Sequence, residues 1–174
     1  YGYGIVYNTP EDIANAKRDM ELSGDTHGTH VTGIAAGSYD GPYRGVAPEA
    51  DIVLVSTNKT EQGIMDGIDF LLKYAENAKK PISINLSIGT VLGYKDGTDN
   101  FSVLIDQLLK GQKGKLLSIA AGNEGDRKST LAGIFGDKQM TKSYWIPPSY
   151  GRDNLFIQGE KGHIYQLTIT LKNT

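Results

Sequence analysis

Three short β-branched runs, separated by stretches of helical spacing, constrain this chain more than any other feature. They are ADIVLVST at 50–57, PISINLSIG at 81–89 and KLLSIAAGNEG at 115–125. The first is a continuous β-branched run, the pattern of a strand covered on both faces, and the second and third read as further buried strands. Between the first two, Ile64, Ile68, Leu71, Leu72 and Ala75 recur at helical spacing from Gln62 to Ala78. Between the second and third, Phe101, Leu104, Ile105, Leu108 and Leu109 do the same over 100–109. Strands joined by helical crossovers pair in parallel. The spacing therefore predicts an α/β fold, a parallel β-sheet with helices on both faces. Functional groups in such sheets gather beyond the carboxyl ends of the strands, which directs attention to LSIG and AAGNEG.

On either side of this block the texture differs. Thr9-Pro10-Glu11-Asp12 reads as a capped helix start, with Thr9 as N-cap, Pro10 in the first helical position and Asp12 completing a capping-box-like pair. That helix would run to about Leu22, and VTGIAAG offers the small residues of a helix packed closely on a sheet. Beyond about Asp126, SYWIPPSY, NLFIQG and HIYQLTITL are aromatic and β-branched, and Tyr165, Leu167, Ile169 and Leu171 alternate with polar residues. Residues 1–126 are thus expected to form part of an α/β domain, and 127–174 to begin an antiparallel β-rich insertion. The opening YGYGIVY has no initiating Met and enters mid-pattern, so an excised segment of a larger domain is expected.

Composition removes several partners. The net charge is −2 and no basic stripe is present, so nucleic acid and anionic membrane surfaces are not expected. No run approaches the ~20 apolar residues of a membrane span. With no cysteine there is neither a disulfide framework nor a thiolate zinc site. The 22 glycines fall in short clusters, which calls for tight turns and close backbone approaches.

GDTHGTHVTGIAAGS at 24–38 sets His27 and His30 three residues apart. Two imidazoles at this spacing could share a helical face, but a metal needs at least a third ligand, and His163 is the only other histidine. No metal site is expected. As polar residues at a helix start both are unremarkable, and for His30 that reading is preferred. For His27 the alternative is a catalytic base.

HGTHVTGIAAG, GVAPEADIVLV at 45–55, INLSIG and AAGNEG follow one another in the order of the boxes of the subtilisin-like serine peptidases, and over 24–125 the chain resembles that family. Thr32 stands where the family usually has Ala. The resemblance implies a serine endopeptidase acting on polypeptides, with His27 as the general base that takes and returns the serine proton. It implies that the Asn123 amide donates to the developing oxyanion. Gly28 would leave the backbone beside His27 unobstructed, and Gly122 and Gly125 would let the loop turn around Asn123. Ser87, Ile88 and Gly89 would pair with the substrate backbone, while Ala120, Ala121 and Gly122 wall the pocket for the side chain before the scissile bond. Gly63 would form the opposite rim, in a loop that departs from the family pattern. The chemistry requires no cofactor, and nothing in the sequence indicates calcium. A propeptide or protein inhibitor is a further expected partner, and an extracellular or cell-envelope location follows from the family alone.

Two boxes do not occur. The serine box G-T-S-M-A-x-P has no counterpart, since Ser129 sits in RKSTLAG without its glycine and proline context. Nor does D-[ST]-G-[IV] occur, and Asp25 is too near His27 to hold its imidazole. One explanation puts the aspartate before Tyr1 and the serine after Thr174, so that these residues alone would be inactive. The other reads GYGIVYNTPE as a decayed aspartate box with Gly2 in place of the acid, which would make the chain a peptide-binding pseudoprotease. The first is favoured, because YNTPEDI also reads as a capped helix and a degenerate protein would not need His27 and Asn123 both preserved. The Thr9 helix and the late β texture resemble the bacterial branch with the clostridial spore-germination subtilases, in which a β jelly-roll precedes the serine box. A nucleotide-binding reading fails because no G-x-G-x-x-G follows a strand.

Overall fold

Thr9 opens the first helix as its sequence suggests. In the computed structural model, which describes residues 2–16, 26–90, 93–127, 129–134, 136, 140–144, 146 and 154–170, α1 runs over Pro10–Ala16. The Asp12 N–H donates to Thr9 Oγ1 at 3.1 Å, satisfying one of the orphan donors of the first turn. The expected continuation to Leu22 lies outside the described residues.

α2 spans His27–Ala36. Its last carbonyls are met by the GVAP loop. The N–H groups of Gly45, Val46 and Ala47 donate to the carbonyls of Gly37, Ile34 and Ala35 at 2.8, 3.1 and 2.8 Å. Gly45 is buried there, and a Cβ on it would stand 2.3 Å from the Gly37 nitrogen, so only glycine lets the loop approach this closely.

α3 (Glu61–Ala78) is capped by Thr60, whose hydroxyl accepts from the Gly63 N–H at 3.1 Å. It ends at Lys79 in the left-handed region, φ 53°, with that N–H on the Ala75 and Glu76 carbonyls, and Pro81 prevents any continuation. β1 (Ile82–Leu86), α4 (Asn100–Leu109) and β2 (Lys115–Ile119) complete the order. Asp99 caps α4 by accepting from the Ser102 hydroxyl at 2.7 Å and from its N–H at 3.0 Å, and these bonds hold its carboxyl below the ordinary range.

β1 and β2 pair in parallel, in register from Ile82 opposite Lys115 to Leu86 opposite Ile119. Bonds from the Ile82 N–H to the Gly114 carbonyl (2.9 Å) and from the Ala120 N–H to the Leu86 carbonyl (3.1 Å) extend the ladder at both ends. α3 packs on β1, and among the described residues the buried apolar ones are Ile68, Leu72 and Ala75 of α3, Ile84 of β1 and Ile105 of α4. The i, i+4, i+7 stripe of α3 is the face that the 3.6-residue period predicts. The α/β class with a parallel ladder is thus present.

Two compact units can be distinguished. The first comprises Tyr1–Ile88 and Leu104–Ala120, the second Gly89–Val103 and Ala121–Thr174. In the second, the Asp96 carboxylate accepts from the Thr98 N–H (3.0 Å) and hydroxyl (2.8 Å) and from Gln158 Nε2, and its proton affinity is lowered accordingly.

Three expectations need correction. ADIVLVST forms no strand: residues 51–57 join no ladder, and Leu54 is 73% exposed. A run buried on both faces requires strand neighbours, and no described segment pairs with this one. The alternating residues of 154–170 likewise pair with nothing among the described residues and leave Tyr165, Leu167 and Ile169 exposed, so the antiparallel β texture is not realised there. Gly63 is not in a loop. Thr60 starts α3 three residues earlier and draws Gly63 into its first turn.

Candidate active site

His27 is the first residue of α2, and both it and His30 are exposed. The His30 N–H closes the first turn on the Thr26 carbonyl at 3.0 Å. Thr32, the departure from the family pattern, donates its hydroxyl to the Gly28 carbonyl one turn back at 2.8 Å, so the extra polar group is absorbed within the helix. Nothing lies within 4 Å of the position a Cβ on Gly28 would take. His27, Val31 and Ile34 follow at i, i+4 and i+7 and share one helical face.

Val31 and Ile34 of that face look toward β1. A groove of about 250 Å³ is lined by Val31, Ile34 and Ala35 of α2, Val46 of the capping loop, and Asn85 and Ser87 at the exit of β1. A second depression of about 350 Å³ surrounds Asp51 and Lys80 at the start of β1, the end where a parallel sheet does not gather functional groups.

The parallel register brings two of the predicted segments together. The Ala120 N–H on the Leu86 carbonyl sets the exits of β1 and β2 side by side, so Ser87 leaves the sheet next to Ala120. Ser87 and Ile88 are half-buried, while Gly89, Ala120, Ala121 and Asn123 are exposed. Gly122 has φ +95°, a backbone conformation that a side chain would strain, and it opens the turn carrying Asn123. Gly125 has no such requirement. His27 belongs to the first unit and Asn123 to the second.

Asp25 lies outside the described residues. Among the described residues no group of three or more His, Asp or Glu side chains could hold a metal ion, and His163 pairs locally with Glu160, Nδ1 to Oε2 3.5 Å. No described helix is long and apolar enough to cross a membrane. One residue of the site escaped the sequence reading. Asn85 donates from Nδ2 to Ser87 Oγ at 2.9 Å, and the available signal was the two-residue strand period that puts 83, 85 and 87 on one face.

Comparison with known proteins gives the same answer as the motifs. The chain is 35% identical over 135 residues to the subtilisin-like protease PopC of Myxococcus xanthus, covering 67% of this chain and 27% of that protein. It is 32% identical over 133 residues to the serine protease AprX of Bacillus subtilis, covering 70% and 29%. To the major intracellular serine protease of the same organism it is 36% identical over 123 residues, covering 66% and 35%. It therefore spans well under half the length of these relatives. One of them is named for an intracellular location, so kinship alone does not set the compartment. No solved structure matches. The family model described as the subtilase family matches residues 5–158, and the chain belongs to that family.

Proposed function

We propose that these residues form the histidine and oxyanion-hole portion of a serine endopeptidase. The observation that carries the proposal is the subtilase match over 5–158, which contains all four boxes in order. In this reading His27 takes the proton of a serine nucleophile as it attacks the peptide carbonyl, then returns it to the leaving amine. The Asn123 carboxamide donates to the oxyanion of the tetrahedral intermediate. Ser87, Ile88 and Gly89 hold the substrate backbone as an added strand, and Ala120, Ala121 and Gly122 wall the adjoining side-chain pocket. The adjacent exits of β1 and β2 support this assignment, because a substrate strand and its pocket wall need neighbouring sheet ends. The reading also requires the His27 imidazole and the Asn123 amide to face one cleft.

These residues by themselves should not hydrolyse peptides, because they contain neither the serine box nor the aspartate box. An extracellular or envelope location, with a propeptide or inhibitor as a cleft partner, belongs to the same proposal, and fractionation checks it. The decisive experiment is fluorophosphonate labelling and peptide hydrolysis by the full-length protein. His27→Ala should abolish both. Asn123→Ala should lower kcat by about 10²–10³, the magnitude known for loss of the oxyanion donor in a subtilisin, a member of this family. Full peptide hydrolysis by the His27→Ala protein would overturn the assignment. A reading frame without either missing box would replace the enzyme with a peptide-binding homologue.

A further inference from the structure

Resting on the peptidase reading, we propose that Asn85 is a positioning residue that fixes Ser87 as a hydrogen-bond donor to the substrate backbone. β1 is two-faced: Ile84 is buried, whereas Ser83, Asn85 and Ser87 occupy the opposite, polar side. Across this side lies α2, the helix begun by His27, and the groove between them is lined otherwise by apolar Val31, Ile34, Ala35 and Val46.

A serine hydroxyl carries one proton and two lone pairs and can present either to a ligand. Asn85 Nδ2 donates to Ser87 Oγ at 2.9 Å, which occupies a lone pair and leaves the hydroxyl proton to be given elsewhere. Among the described residues, the remaining walls of the groove are aliphatic and offer it no side-chain acceptor. The matching ligand is one that brings an acceptor along the strand exit, and an extended peptide supplies backbone carbonyls at that spacing. The amide thus acts through Ser87 and touches no reacting atom. Ser87 contributes as an oriented donor, and the contribution exists only while Asn85 holds it.

A double-mutant cycle in the full-length protein tests this, with two readouts. One is kcat/KM on an extended chromogenic peptide. The other is the rate of fluorophosphonate labelling, which needs the nucleophile, base and oxyanion hole but no strand pairing. Asn85→Ala and Ser87→Ala should each lower kcat/KM about three- to tenfold, the range of one neutral hydrogen bond. The double variant should lose no more than either single one, and the labelling rate should fall far less than kcat/KM in every variant. The near-isosteric Asn85→Asp, which only accepts, should redirect the Ser87 proton to itself and lose at least as much, and it carries the test if Asn85→Ala does not fold. Additive losses, an equal fall in labelling, or unchanged kcat/KM would overturn the role of Asn85 and leave the peptidase reading intact. A parent protein that neither labels nor cleaves would overturn both.

Discussion

ISINL at 82–86 and DIVLVST at 51–57 both read as buried strands in the sequence, yet one is a strand and the other is not. Ile82–Leu86 pairs along its whole length with Lys115–Ile119 and buries Ile84 against α3. Residues 51–57 join no ladder, although they are held at points along their length: Asp51 pairs with Lys80, and Val55 Cγ1 lies 3.1 Å from where a Cβ on Gly67 of α3 would be. β propensity describes fitness for a pleated, half-buried surface, and it becomes a strand only where a partner supplies the other half of the ladder.

The sharpest way to break this comparison is paired truncation. Ile84 is 5% exposed against 73% for Leu54, so Ile84→Ala should cost about 2–5 kcal/mol and Leu54→Ala within about 0.5 kcal/mol, both read from urea unfolding. Equal costs would mean that 51–57 is buried as a strand after all. Next in size, Gly45→Ala forces a Cβ to within 2.3 Å of the Gly37 nitrogen, and it should cost about 1–3 kcal/mol as the loop is pushed off α2. A neutral result would show that the loop is held no better than the run that follows it.

Gly67→Ala carries a sign that decides the point. Alanine favours a helix interior over glycine by ~0.8–1.0 kcal/mol, and the one close neighbour of the new methyl is Val55 Cγ1 at 3.1 Å. An unladdered run can give way by a few tenths of an ångström, so the variant should raise the thermal midpoint. A lowered midpoint would show that 51–57 is rigidly held.

The smallest effect is expected from the Asp51–Lys80 pair, which is exposed to solvent. The hydrogen bond and charge of Lys80 lower the Asp51 carboxyl below its ordinary 3.8. The reciprocal contact raises the Lys80 ammonium above its ordinary 10.5. The carboxylate contribution is therefore present above its unfolded value and fades as pH falls through the lowered folded one. The ammonium contribution is present below its unfolded value and fades as pH rises through the raised folded one. Lys80→Ala should lower the midpoint slightly and evenly between about pH 5 and 9, with no difference in ~1 M salt, where exposed charges are screened. A difference that persists in salt would point to packing by the lysine stem.

Much of this architecture was legible because its causes are local. Thr9 caps α1 as its sequence suggests, through a hydrogen bond within three residues, and the Thr60 cap of α3 is equally local although the sequence pattern predicts a loop at Gly63. The amphipathic stripe of α3 and the start of α2 at His27 follow likewise from periodicity and small residues. The site was legible in part. Its motifs named Ser87 and Ala120, but only the ladder sets them side by side. The contact of Asn85 with Ser87 spans two residues and follows from the strand period, but only the packing of α2 on that face makes the pair line a groove.

By itself, then, the amino-acid order determined the helical segments, the parallel α/β class and membership of the subtilase family, because each depends on spacing along one stretch of chain. Tertiary structure alone decided which β-branched runs became strands and why position 45 must be glycine. Those depend on a partner segment tens of residues away, whose arrival no local pattern encodes.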